Sequence, residues 1–242
     1  MKPALLLSDL HLAEEHAGSA AAFRAFAAGP AREASAVYIL GDLLDSWIGD
    51  DQLREPFAAG IAQALRRVAD AGVAVFIARG NRDFLLGERF ARTAGATLLA
   101  EETRADLGGV TTLLIHGDEL CTDDVAYQRY RAWMRDPVYQ RRLLRLPYAI
   151  RRRIAAWMRS KSRSETARKP ESILDVNAAA VEAALRRHHV TRMIHGHTHR
   201  PARHALVVDG TACERIVLAD WDERGHYLEI GSEGLRDVDI DG

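Results

Sequence analysis

Two cysteines, Cys121 and Cys213, are all that this 242-residue sequence contains. Placed so far apart, they offer neither a disulfide framework nor the ligand spacing of a zinc cage, which points to a reducing, cytoplasmic setting with buried thiols. Long apolar runs are missing too, so no membrane-spanning helix of roughly 20 residues is expected. At the N-terminus, Leu5-Leu6-Leu7 runs at once into Ser8-Asp9-Leu10-His11, too early for a secretory signal, and reads as a first strand. Nor is there an excess of one charge, the net value being −1. What is present, 48% hydrophobic and 28% charged residues, fits a globular chain long enough to bury a large core.

The neutral total conceals a strong asymmetry. Residues 129–169 hold 14 Lys or Arg against Asp136 and Glu165, a net +12, and leave −13 for the remainder. Such a block faces anions or forms a solvated helical face. Helices are expected over Tyr127–Arg135 and Val138–Arg159, broken near Pro137 and Pro147, then a polar loop over Arg159–Pro170 and a helix over Ile173–Arg187. Trp133, Leu144, Ile150, Trp157 and their neighbours give this cationic segment a large apolar supply.

Elsewhere, short apolar runs end repeatedly in polar turns. Leu5–Ser8 leads to Asp9 and His11; Val37–Leu40 to Gly41, Asp42 and Asp45; Val73–Ala78 to Gly80-Asn81-Arg82-Asp83. Thr111–Ile115 leads to His116-Gly117-Asp118, and Thr191–Ile194 to His195-Gly196-His197-Thr198-His199. Ligands of open α/β sheets sit at such carboxyl-terminal strand ends. Between them, helices are expected over Ala20–Ala28, Phe57–Asp70 and Phe84–Ala94. Strands over His204–Val208, Cys213–Leu218 and Tyr227–Ile230 would close a second sheet, with a solvated acidic tail after Glu233.

Collected, the strand ends offer Asp9, His11, Asp42, Asn81, His116, His195 and His197. Oxygen and imidazole donors without thiolate suit Mn, Fe or Zn, and seven ligands suffice for two ions sharing a carboxylate. In this order, the five motifs resemble the calcineurin-like binuclear metallophosphoesterases over residues 9–199. The resemblance implies an α/β metallophosphoesterase fold, two packed mixed sheets flanked by helices. It implies one metal on Asp9, His11, Asp42 and His197, and another on Asp42, Asn81, His116 and His195. His199 and His204 fall outside that ligand set.

Where most of the family carries histidine after the asparagine, this chain has Arg82. A guanidinium stays charged and cannot serve as a proton donor, which suits a leaving group that is itself a phosphate. The Gly-Asn-Arg-Asp form, Leu120-Cys121-Thr122-Asp123-Asp124, the helical insertion, Asp175-Val176-Asn177 and the His195–Pro201 stretch resemble, across nearly the whole chain, the branch of the family that serves lipid A biosynthesis. That resemblance implies hydrolysis of UDP-2,3-diacylglucosamine to UMP and 2,3-diacylglucosamine 1-phosphate by water attack on the α-phosphorus, with two Mn2+. It implies one domain over 1–242 with a helical cap at about 125–170 and a peripheral contact with the anionic cytoplasmic face of the inner membrane. Neither nucleic acid nor an obligate protein partner is expected. Asn81, Arg82 and Asp42 would be catalytic; Asn81, Arg82, Asp124, Ser162, Thr166, Lys169 and His195 would contact substrate. The rivals are a nucleotide-polyphosphate hydrolase, which needs no apolar cap, a nuclease using the basic segment, and a non-catalytic scaffold of the same fold.

Overall fold

The computed structural model describes residues 2–166, 175–222 and 224–240, and for 161–166 the backbone alone. Eleven strands and eight α-helices are found among them. In chain order they are β1 (Ala4–Leu7), α1 (Ala17–Ala28), α2 (Pro30–Glu33), β2 (Ala36–Leu40), α3 (Pro56–Asp70), β3 (Ala74–Ala78), α4 (Glu88–Ala94), β4 (Ala96–Leu98), β5 (Thr103–Leu107) and β6 (Val110–Leu114). There follow α5 (Val125–Arg135), α6 (Pro137–Leu144), α7 (Tyr148–Thr166), α8 (Ala178–His188), β7 (Arg192–His195), β8 (Ala202–Val208), β9 (Thr211–Val217), β10 (Gly225–Gly231) and β11 (Gly234–Ile240).

Two mixed sheets result, ordered β11-β10-β1-β2-β3-β4 and β5-β6-β7-β9-β8. β1, β2 and β3 run parallel, as do β6, β7 and β9. Their carboxyl ends therefore deliver the polar turns to one edge. The sheets pack face to face through Leu6, Leu40 and Leu228 of the first and Leu114, Ile194 and Ile216 of the second. The first sheet's other face is covered by α1 and α3 through Phe23, Phe26, Ile61 and Leu65. That of the second is covered by α8 through Val181 and Leu185. Burying each such side chain removes it from water at about 1.5–3 kcal/mol.

Some expectations needed correction. The tail after Glu233 is not a solvated end but β11, paired antiparallel with β10, and both belong to the first sheet. Its acids are partnered across the surface, Asp237 with Arg203 and Asp239 with His226, while Val238 and Ile240 reach the core. The helix expected from Phe84 begins only at Glu88. The Asp50 carboxylate, at the start of a remote 3-10 turn over Asp50–Arg54, accepts the N–H groups of Gly87, Arg89 and Phe90 and fixes that start. In the cationic segment, Pro137 opens α6 behind an Asp136 cap, and Pro147 precedes α7. The α7 backbone continues to Thr166 where a loop was expected from Arg159. The next described helix, capped by Asn177, starts at Ala178 and not at Ile173, which lies outside the described residues.

Candidate active site

Asp9 and His11 follow β1, Asp42 follows β2, Asn81 follows β3, His116 follows β6, and His197 and His199 follow β7. Five of these residues, Asp9, His11, Asp42, His197 and His199, have φ between 45° and 68°. Left-handed backbone is uncommon outside glycine and costs on the order of 1–3 kcal/mol per residue. Only two other described non-glycine residues, His189 and Asp209, share it, so the strain is concentrated where five polar side chains converge. The neighbouring glycines permit the convergence. A Cβ on Gly80 would strike the Asp42 carboxylate, and one on Gly196 the Asp9 carboxylate.

Asp42 lies at the centre. Its Oδ1 accepts the Arg82 N–H at 2.7 Å, and its Oδ2 stands 3.9 Å from both His11 Nδ1 and His116 Nε2. His116 donates Nδ1–H to the Leu40 carbonyl at 2.9 Å, which turns Nε2 inward to 3.0 Å from Asn81 Oδ1. The same Asn81 oxygen is 3.0 Å from His197 Nδ1. Beyond Asp9, His199 places Nε2 3.5 Å from Asp9 Oδ1 and 3.3 Å from His11 Nε2, while Asp220 Oδ2 holds its Nδ1 at 3.0 Å. Asp83, fully buried, ties two of the loops by accepting the Leu43 and Gly80 N–H groups.

Burial and proximity set the charges. Burial raises the Asp42 carboxyl to about 6 and that of Asp83 likewise to about 6, with Asp42 adding to the latter. His116 is pushed up to about 9 by Asp42 and Asp9 against the effect of its burial, whereas burial lowers His11 to about 4 and His197 to about 4. Against burial, His199 and the neighbouring histidines hold Asp9 far below the carboxylate range.

Asp9, His11 and His199 form one cluster with a ligand atom each within 4.8 Å of the others; Asp9, Asp42 and His116 form a second. Asp9 Oδ1 and His11 Nδ1 are buried without a hydrogen-bond partner, an arrangement that a cation would complete. Carboxylate, amide and imidazole donors fit a pair of divalent ions, and the outward hydrogen bonds of His116 to Leu40 and of His199 to Asp220 are those that orient ligating imidazoles.

His195 does not join the clusters. Its Nδ1–H points to the Gly196 carbonyl at 2.9 Å, and its Nε2 faces Arg215 Nη1 at 3.1 Å. With the Nε2 lone pair accepting from a guanidinium, neither nitrogen is offered inward. His199, set outside the ligand set by the sequence reading, lies beside Asp9 where that reading put His197, and His197 lies instead beside Asn81, where it had put His195. Asp124 is buried and caps α5 by accepting the Tyr127 N–H. Among the described residues, the Arg82 guanidinium has no hydrogen-bond or ion-pair partner; its charge bears on His11. The side chains of Ser162 and Thr166, and Lys169 altogether, lie outside the described residues.

Sequence reasoning missed the part of α5 that closes on the site. Tyr127 stacks on His197 at 5.9 Å and donates to Asp118 Oδ2 at 2.9 Å; Arg131 Nε donates to the same oxygen. Arg135 caps the Arg79 and Gly80 carbonyls that lead into Asn81. The periodicity of α5 showed a helix, but nothing local reveals which turn its side chains reach.

A sandwich of two mixed sheets, with two candidate cation clusters at its edge, defines a metal-dependent phosphoesterase architecture. The calcineurin-like phosphoesterase family model matches residues 2–201, and the chain belongs to that family. Proteins called UDP-2,3-diacylglucosamine hydrolase are similar to it: one from Pseudomonas paraeruginosa (strain DSM 24068 / PA7) is 50% identical over 232 residues, and one from Klebsiella pneumoniae subsp. pneumoniae is 49% identical over 232 residues. Each alignment covers 96% of both chains. The fold is also that of a solved dimetal phosphatase from Danio rerio, with a TM-score of 0.51 at 15% identity, covering 99% of this chain and 98% of that one.

Proposed function

We propose that this chain hydrolyses the pyrophosphate bond of UDP-2,3-diacylglucosamine, giving UMP and 2,3-diacylglucosamine 1-phosphate in lipid A biosynthesis. The observation that carries the reading is end-to-end similarity, at about half identity, to hydrolases of that substrate, in a chain that keeps the buried polar cluster. Asp9, His11, Asp42 and His199 would hold one metal ion, and Asp42, Asn81, His116 and His197 the other. This set exchanges His195 for His199 because of the ring contacts and the strained backbone described above. Manganese suits these oxygen and nitrogen donors. When bound, the ions supply Lewis acidity that lowers the pKa of a water and draws charge from phosphoryl oxygens.

The protein's own groups do the rest. Asp83 and the Leu40 carbonyl fix Asp42 and His116 through their loops, so the donors are in place before substrate arrives. Arg82, adjacent to Asn81, offers its guanidinium to the phosphoryl group as negative charge gathers there. No proton donor is required, because the departing sugar phosphate is a stable anion. Water attack on the α-phosphorus forms its new bond to oxygen and breaks its bond to the bridging oxygen, which leaves on the sugar 1-phosphate, while the water's proton passes to solvent.

We further infer that α5 to α7 form a cap for the acyl chains. Large apolar side chains including Trp133, Val138, Leu144 and Ile150 stand exposed there among arginines, a surface suited to lipid and to an anionic membrane face. No helix among the described residues is long and apolar enough to cross a membrane, so the contact would be peripheral. Ser162, Thr166 and Lys169 remain proposed substrate contacts; Asp124 would act by fixing the start of α5.

The test is product analysis in detergent with manganese-loaded protein. UMP should be released from UDP-2,3-diacylglucosamine and not from UDP-N-acetylglucosamine. Equal cleavage of the unacylated sugar, or of a plain phosphodiester, would remove the lipid assignment and leave only the metal-dependent phosphoesterase.

A further inference from the structure

On the outer face of the second sheet, beside the turn that carries His199, lies a cavity of about 260 Å³ lined by Asp175, Arg200, Pro201, Ala202, His204, Arg215 and Val217. Arg215 is only 9% exposed, yet among the described residues no carboxylate lies within ion-pair distance of it. One of its five N–H donors is used on His195 Nε2, and Asp175 attracts it from farther away. Arg215 stands directly across from His204 in the β8–β9 ladder. A buried guanidinium with unused donors facing a cavity is costly unless oxygen acceptors enter.

We propose that this cavity is the nucleoside subsite, receiving the uridine half of the substrate. It opens beside the reacting centre, since Arg200 follows His199 directly and Arg215 hydrogen-bonds the residue that precedes Gly196-His197. Its size, below the roughly 300 Å³ at which pockets for whole drug-sized ligands begin, suits a portion of a larger molecule. Pro201, Ala202 and Val217 supply apolar walls for a planar ring. Arg215 donates to pyrimidine carbonyl oxygens, and the Asp175 carboxylate, 3.6 Å from Arg200, is placed to accept a ring N–H. Uracil presents carbonyl oxygens on both sides of an N–H; cytosine lacks that hydrogen. Arg215 and Asp175 are thus specificity residues for the base.

This subsite rests on the reading of a UDP-linked substrate, and its test uses binding, not turnover, so that the two can fail separately. Titration calorimetry of the full-length, manganese-loaded protein with UMP, CMP and inorganic phosphate is the first experiment. UMP should bind at least about tenfold more tightly than CMP, as expected where a site's buried polar groups would be left unpaired. Arg215→Gln should lower UMP affinity about tenfold or more while leaving phosphate binding intact. Ala202→Trp, at an exposed position, should block the cavity mouth with the same effect, and it decides the matter if Arg215→Gln does not fold. Equal binding of UMP and CMP, phosphate as tight as UMP, or wild-type UMP affinity in a folded Ala202→Trp protein would each overturn the proposal. Absent hydrolysis of UDP-2,3-diacylglucosamine alongside Arg215-dependent UMP binding would overturn the functional reading and leave the subsite standing.

Discussion

At the sheet edge, Asp9, Asp42, Asp83 and Asp118 are all buried, and hydrogen bonds to backbone or to neighbouring side chains aim them. Along residues 125–157, by contrast, stand seven of the eight large apolar side chains found exposed among the described residues. One region buries charge and the other exposes hydrocarbon, each against the usual preference of its side chains. The first inversion is tolerated where hydrogen bonds hold the carboxylates, and bound cations would complete it; the second makes sense if lipid covers it. On the proposed reading, chemistry falls to the sheet edge, and recognition of the acylated part would fall to α5 to α7, whose shape that frame does not dictate. The two meet at α5, where Tyr127, Arg131 and Arg135 bind the turns carrying His197, Asp118 and Asn81.

The sharpest way to break the comparison is at the frame. His199→Ala should remove one metal ion per chain and lower hydrolysis by about 10³-fold or more, beyond the roughly 10–100-fold expected when an outer hydrogen-bond partner such as Asp220 is lost. His195→Ala should keep both ions. Metal analysis showing the reverse would restore His195 to the ligand set. Arg82→Ala comes next: turnover should fall about 10²- to 10³-fold with the metal content unchanged, the cost of one electrostatic donor. Turnover close to wild type would remove Arg82 from the mechanism.

Stability should divide the regions as well. Leu6→Ala, at the interface between the sheets, should cost about 2–5 kcal/mol in denaturant unfolding. Val138→Ser and Ile150→Ser, both largely exposed, should stay within about 0.5 kcal/mol of wild type yet weaken sedimentation with anionic vesicles and raise KM for the acylated substrate. If these serine variants were instead strongly destabilised, the exposed apolar surface would have to be part of the fold's own packing.

Most of the frame was legible in the sequence because short apolar runs ending in polar turns are local signals. The acidic alternation after Glu233 misled because its partners, Arg203 and His226, lie on other strands. The choice among His195, His197 and His199 was not legible for a related reason. Residues two apart share a face only while the chain is extended; β7 ends at His195, and the positive φ of His197 and His199 breaks the alternation. Asp220, which orients His199, comes from the loop after β9, and no spacing rule connects the two.

The smallest expected effect lies away from both regions, and it gives the baseline against which they stand out. Glu102 accepts from Arg187 and His188 at the end of α8, and these partners hold its carboxyl below the usual value in spite of partial burial. A depressed folded-state value means that the unfolded chain binds the proton more readily. The stabilisation is therefore present above the unfolded value, near 4.3, and is lost as pH falls through the folded one. Glu102→Gln should flatten that acid limb slightly without changing stability at pH 7 by more than the modest worth of a half-exposed ion pair, about 0–1 kcal/mol. Urea midpoints of both proteins from pH 7 to pH 3 measure it. A difference that grew toward acid pH would mean that Glu102 is stabilised in its protonated form, and that α8 is held by something other than this pair.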